Sequence, residues 1–295
     1  MSTPAASRDL RHTVERNVLR VLRWVVIIGA IVFTAGPLLY TVLLSIRPLS
    51  SIVNEPLQFI PSLSEIDFGS YVRALSGEAS NGFGLGRFMG NSLFVALGTT
   101  VLSVAFSALG AYAAVRLRFL GRDTVNGFFL AIYVLPGIVL AVPLFVMFSY
   151  IGLKGTLPGL VIIYLAQTIP LSLYMLRNYF QAVPVSVEEA AMIDGCGRLG
   201  MIRRVVLPIA VPGLAATGLY VFMIAWNEFL FALLFLVQDR DRWTVSLGLA
   251  QFSDVGVPVT VLMAGSIAIT LPIVVLFFAA ERMLVSGLTA GAEKG

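Results

Sequence analysis

Glu228 is the only formally charged side chain inside six long apolar stretches, and it sits in the run Trp226, Asn227, Glu228, Phe229. An ionised carboxylate at membrane depth is costly, so it must face protein or a water-filled cavity. Three kinds of chemistry fit. Glu228 could anchor neighbouring helices through hydrogen bonds. It could line a pathway for a polar solute through Trp226 to Phe229, with Trp226 stacking on the solute and Asn227 or Glu228 bonding its hydroxyls. It could also relay protons, although a relay normally shows more than one ionisable group along its path, and here there is one.

A second charged cluster lies at 184–212, between apolar stretches. It runs Pro184, Val185, Ser186, Val187, Glu188, Glu189, Ala190, Ala191, Met192, Ile193, Asp194, Gly195 and continues to Leu207, Pro208 and Pro212. Ser186 and Glu189 have the spacing of a capping box, and Gly195 suits the left-handed position just past a helix end. The spacing predicts a helix of about two turns. A second short basic helix should stop before Pro208, because proline lacks a donor and clashes with the preceding turn. The small Ala190 and Ala191 would let another protein approach the backbone, while Glu188, Glu189 and Asp194 offer charge to a basic groove.

These side chains need elements to position them. With 58% hydrophobic and 12% charged residues and a mean hydropathy of +0.92, the chain is an integral membrane protein, because soluble domains are about a quarter charged. Apolar segments near 24–46, 88–115, 125–151, 157–176, 209–237 and 258–280 are each long enough to cross a bilayer as helices. Residues 1–23 carry Arg8, Arg11, Arg16, Arg20 and Arg23 beside Leu10, Val14 and Val18, the pattern of an amphipathic helix on the membrane surface. With both termini inside, 14 of the 20 Lys and Arg fall on inner segments, so the positive-inside rule places 177–208 in the cytoplasm. External loops 47–87 and 238–257 remain. The first reads as an ordered cap, the second as a charged rim (Asp239, Arg240, Asp241, Arg242) beside Trp243. Ser103, Ser107 and Ala111, with Gly110 and Ala114, give the second span a small-residue face for close helix packing.

Several chemistries are missing. A single Cys196 and a single His12 make neither a disulfide framework nor a two-ligand metal site. No G-x-x-x-x-G-K-[ST] loop is present to cradle phosphates, so energy must come from another polypeptide.

Glu-Ala-Ala at 189–191, Gly195, Val205 and Leu207-Pro208 together resemble the EAA loop of binding-protein-dependent ABC importer permeases. The resemblance implies an all-α membrane fold of the type I ABC importer kind: six transmembrane helices over 24–282, a cytoplasmic coupling helix in loop 177–208 and a cytoplasmic tail, 283–295. Glu188, Glu189, Ala190, Ala191, Asp194, Gly195, Leu207 and Pro208 would then couple to an ATPase, Glu189 being the residue held by it. Trp226 to Phe229 is similar to the fifth span of maltose-type sugar permeases on the MalG-like side. The ending Gly287, Leu288, Thr289 and Gly291 resembles the tail that reaches between the ATPases. The implied partners are a second homologous permease, a dimer of ATP-binding cassette ATPases carrying the ATP and Mg, an extracytoplasmic solute-binding protein or lipoprotein, and membrane lipid. No nucleic acid is expected. The implied cargo is an oligosaccharide or disaccharide. Another polar solute such as a glycerol phosphate, or a proton-coupled secondary transporter using Glu228, remains the alternative.

Overall fold

The computed structural model describes residues 5–56, 58, 60–122, 124, 127, 136–252 and 256–292, with side chains from 15 to 283 other than 251. The chain divides into two compact units, residues 1–72 with 258–267 and residues 73–257 with 268–295. The described residues are almost wholly helical, as unpaired backbone groups in lipid require.

In the first unit, α1 (Ala5–Ser45) is one 41-residue helix with Pro37 inside it. No break separates the expected surface segment 1–23 from the first span, since 15–45 qualifies as a single apolar stretch. Neither a glycine C-cap nor a proline interrupts the helix formers near residue 23. Its exposed apolar side chains, from Val18 to Leu39, are those of a helix bathed in lipid. After α2 (Leu49–Asn54), Arg47 is buried at 2% exposure and binds the Gln58 carbonyl and Ser51 Oγ. Asp67 N–H donates to the Ile46 carbonyl at 2.8 Å. A capping box joins Ser62 and Glu65 across the turn Leu63–Glu65, and α3 follows (Gly69–Leu75). The cap expected at 47–87 is therefore ordered by its own backbone.

The second unit is built on α4 (Leu85–Arg116), packed along α6 (Leu157–Ala182), with α9 (Val211–Asn227) against both. Close approach of α4 and α6 depends on the small-residue face. Ser103, Ser107 and Ala111 are all buried. Thr168 Oγ1 donates to Ser103 Oγ at 3.1 Å, Ser103 and Ser172 hydroxyls meet at 3.3 Å, and Ser107 Oγ donates to the Ile169 carbonyl at 3.4 Å. A Cβ at Gly110 would stand 3.0 Å from Leu173 Cδ1. Such interhelical bonds contribute about 0.6 kcal/mol each in lipid.

Of the expected third span, 125–151, the described part is α5 (Gly137–Tyr150), opened by Pro136; most of 125–135 lies outside the described residues. The expected fifth span, 209–237, is not one helix. It is α9, a two-residue break at Glu228 and Phe229, and α10 (Leu230–Leu236). Loop 238–257 likewise holds α11 (Val245–Phe252), an eight-residue helix too short to register as a span, with Val245 and Leu247 fully covered. The last helix, α12 (Val259–Ala292), runs beyond the expected span end at 280.

Candidate functional sites: the loop at 183–210 and the broken fifth span

Loop 183–210 folds as α7 (Val185–Ile193) and α8 (Arg198–Ile209). The capping box expected of Ser186 and Glu189 does not form. Pro184, with φ −62° and ψ 135°, takes the N-cap position, and no side chain caps the helix. Its fixed φ already sets the entry angle, which leaves Ser186 inside the first turn. The helix end follows expectation. Gly195 has φ +87°, Gly195 N–H bonds the Met192 carbonyl at 3.1 Å, and Cys196 N–H bonds the Ala191 carbonyl at 3.0 Å. This pair of bonds is a Schellman ending, which needs glycine at the left-handed position.

Expectation and structure part again at Pro208, which lies inside α8 rather than beyond it. Residues 202–206 form a π turn, wider than an α turn, and this accommodates the proline ring and its missing donor. The chain then bends by 73° between α8 and α9.

Glu188 must be reassigned. It is 4% exposed, turned inward, and its Oε1 accepts from Arg116 Nε at 2.6 Å while Oε2 accepts from Tyr112 OH at 3.2 Å. Arg116, the last residue of α4, also donates from Nη2 to the Val183 carbonyl at 2.6 Å and the Phe180 carbonyl at 3.2 Å. Both lie at the C-terminus of α6, where a cation is favoured, and the Phe180 carbonyl also accepts from the Val183 N–H at 3.3 Å. Ala191, three residues on and so on the same face, packs into a cluster with Phe180, Met201 and Val206, against which Leu207 and Cys196 also rest. The opposite face stays open. Glu189, Ala190, Asp194, Gly195 and Pro208 are exposed, as are Met192 at 46%, Ile193 at 86% and Leu199 at 62%. The loop thus presents acidic groups around an apolar knob, on a base clamped to α4 and α6.

At the broken fifth span the four expected residues take different roles. Glu228 accepts from Tyr164 OH at 2.6 Å and from the backbone N–H groups of Phe231 at 3.0 Å and Ala232 at 3.2 Å. It therefore restarts the helix as α10, supplying partners to donors that the break leaves free. Its own carbonyl accepts from Ser246 Oγ at 2.5 Å. Of the three roles open to it, the anchor is the one its contacts fill. Trp226 is 1% exposed and stacked on Phe222, centroids 5.5 Å apart. Asn227 and Phe229 are exposed, and Asn227 Nδ2 donates to the Met223 carbonyl at 2.8 Å. Trp226, Asn227 and Phe229 share a cavity of about 430 Å³ with Ser246 and Leu249 of α11 and Ile269 of α12.

Arg116, Tyr112, Tyr164 and Ser246 were not legible as site residues, because each acts on a partner far away in sequence. Gly287, Leu288, Thr289 and Gly291 fall in the last turns of α12, and their side chains lie outside the described residues. Among the described residues no group of three His, Cys, Asp or Glu could hold a metal.

Residues 106–289 match the family model described as the binding-protein-dependent transport system inner membrane component. The chain is 43% identical over 206 residues, 70% of its length and 73% of the relative's, to the inner membrane ABC transporter permease protein YcjP of Escherichia coli (strain K12). It is 37% identical over 278 residues, 92% of its length and 97% of the relative's, to the trehalose/maltose transport system permease protein MalG of Thermococcus litoralis (strain ATCC 51850 / DSM 5473 / JCM 8560 / NS-C). Among solved structures, a bacterial ABC transporter involved in import of the acidic polysaccharide alginate aligns over 96% of this chain and 99% of that one, with a TM-score of 0.71 and 22% identity.

Proposed function

Because this chain belongs to the binding-protein-dependent transport system inner membrane component family, as a multi-pass permease subunit of a carbohydrate ABC importer, we propose that its α7 is the part an ATPase grips. The observation that carries this reading is the two-faced α7. Glu188 and Ala191 bind it to the permease body, and Glu189, Ala190, Met192 and Ile193 stand outward on the same short helix. A push on that outer face is transmitted rigidly to the ends of α4 and α6 through Arg116, and to α9 through the 73° bend.

In this reading a second homologous permease completes the pathway, with this chain forming half of it. Two ATPases carry ATP and Mg below, a solute-binding protein docks outside, and both termini lie in the cytoplasm. ATP closure of the ATPases draws the two coupling loops together and favours the outward-facing state, for which the cargo must have a different affinity if work is to be coupled to it. Trehalose and maltose, named for the relative from Thermococcus litoralis, support a neutral disaccharide or oligosaccharide as cargo. The tail at Gly287 to Gly291 would reach the ATPases.

The test is co-purification from detergent-solubilised membranes. Wild type should bring down an ATPase and a second permease, and Glu189→Lys should lose the ATPase while staying in the membrane. A Glu189→Lys chain that keeps its ATPase and imports sugar at the wild-type rate refutes the coupling role. A chain that purifies alone and transports under a proton gradient refutes the importer assembly.

A further inference from the structure

Resting on the reading above, we infer that the cavity at the fifth-span break is a sugar-ring subsite carried by this subunit itself, and that it takes an uncharged polyhydroxylated ring. The cavity, about 430 Å³, falls within the range of about 300–1,000 Å³ of small-molecule sites. Its walls pair aromatic surface with a few polar groups. Phe229, 40% exposed, offers ring surface for the apolar face of a pyranose, beside the buried Trp226.

Around them the hydrogen-bonding groups are unusually free. Trp226 Nε1 is buried and has no acceptor among the described residues, although a buried indole N–H normally finds one. Asn227 uses one N–H on Met223, leaving an acceptor and a second donor. Ser246 spends its proton on the Glu228 carbonyl and keeps a lone pair for an incoming hydroxyl. The free groups of Asn227 and Ser246 match a hydroxyl-bearing ring.

Charge defines the ligand class. None of the residues lining the cavity is charged. The nearby carboxylate, Glu228, has its oxygens occupied by Tyr164, Phe231 and Ala232. A phosphate or uronate entering here would lose its hydration without meeting a cation, so the site disfavours anions.

The test uses the full transporter in proteoliposomes, with its ATPases, partner permease and binding protein. Uptake of radiolabelled maltose and trehalose is compared with that of sn-glycerol 3-phosphate. Asn227→Leu keeps the volume but removes the free donor and acceptor, and should slow neutral-sugar uptake by about two- to tenfold. Leu249→Trp fills the cavity from α11 and should slow it by more than about tenfold. Both should retain assembly and binding-protein-stimulated ATP hydrolysis. If both variants carry the neutral sugars as fast as wild type, the subsite is refuted while the importer reading stands. A wild-type complex that prefers the phosphate overturns the neutral class. One that moves neither sugar under ATP overturns the carbohydrate reading and the subsite with it. Should Leu249→Trp fail to assemble, Asn227→Leu decides alone.

Discussion

Replacing Arg116 by Met should loosen the base of loop 183–210 while leaving the spans intact. The guanidinium has a side-chain exposure of 14% and its partner Glu188 of 6%. Removing it leaves a buried carboxylate with Tyr112 OH as its one remaining donor and takes a donor from each of the Phe180 and Val183 carbonyls. Breaking a buried ion pair from one side costs about 3–5 kcal/mol, and the Val183 carbonyl, left without its donor, can add about 1 kcal/mol. Glu188→Gln alone should cost less, about 1–3 kcal/mol, because the amide oxygen can still accept from Arg116 while the amide NH2 can donate to the Tyr112 oxygen. In the double variant Arg116→Met/Glu188→Met the charge is gone, and the Val183 carbonyl and the Tyr112 hydroxyl lose their partners. Its total should therefore be about 1–3 kcal/mol, below that of Arg116→Met alone. Unfolding in detergent can be followed with a thiol-reactive dye, since Cys196 is the only cysteine and packs on the cluster beneath the loop. Uptake and ATP hydrolysis by the assembled complex give the functional arm, where Arg116→Met should hydrolyse ATP with reduced transport. The reasoning is refuted if Arg116→Met unfolds with wild type, or if the double variant is no more stable than Arg116→Met.

Other outcomes follow from the same geometry. Tyr164→Phe removes a buried donor from Glu228 and should destabilise the chain by about 1–2 kcal/mol; an unchanged midpoint in detergent unfolding would contradict the anchor role. Gly195→Val forces a β-branched residue into φ +87° and should cost about 1–2 kcal/mol, read as faster proteolysis within 184–200. Glu65 is held below the ordinary glutamate range, first by the Ser62 backbone N–H, then by the Ser62 hydroxyl, with Arg47 adding a smaller pull. A depressed carboxyl stabilises the fold above its unfolded value, and that contribution fades as pH falls through the folded value. Amide-exchange protection of the 62–65 turn should therefore drop on acidification in wild type and vary less with pH in Glu65→Gln.

Much of the fold could be read from composition and spacing. Long uncharged runs force helices because lipid offers no partners to the backbone. Ser103, Ser107 and Ala111 marked the packed side of the second span because only small side chains permit so close an approach. Gly195 marked the end of α7, since a left-handed residue there favours glycine. These are local rules, satisfied within a few residues.

The division of labour inside each motif was not local. Glu188 and Glu189 are chemically identical neighbours on a nine-residue helix, and nothing nearby says which turns inward. That choice belongs to Arg116, 72 residues away. The break at Glu228 carries no proline or glycine to announce it. It exists because Tyr164, 64 residues distant, and the free N–H groups of α10 together hold the carboxylate. The cavity it opens needs α11, whose eight residues read as loop. Hydropathy and motif spacing decided what kind of molecule this is and where another protein could grip it. Only the packing of distant helices decided which carboxylate of α7 turns outward, which one anchors, and where the fifth span breaks, because a buried charge takes its role from the partners that surround it.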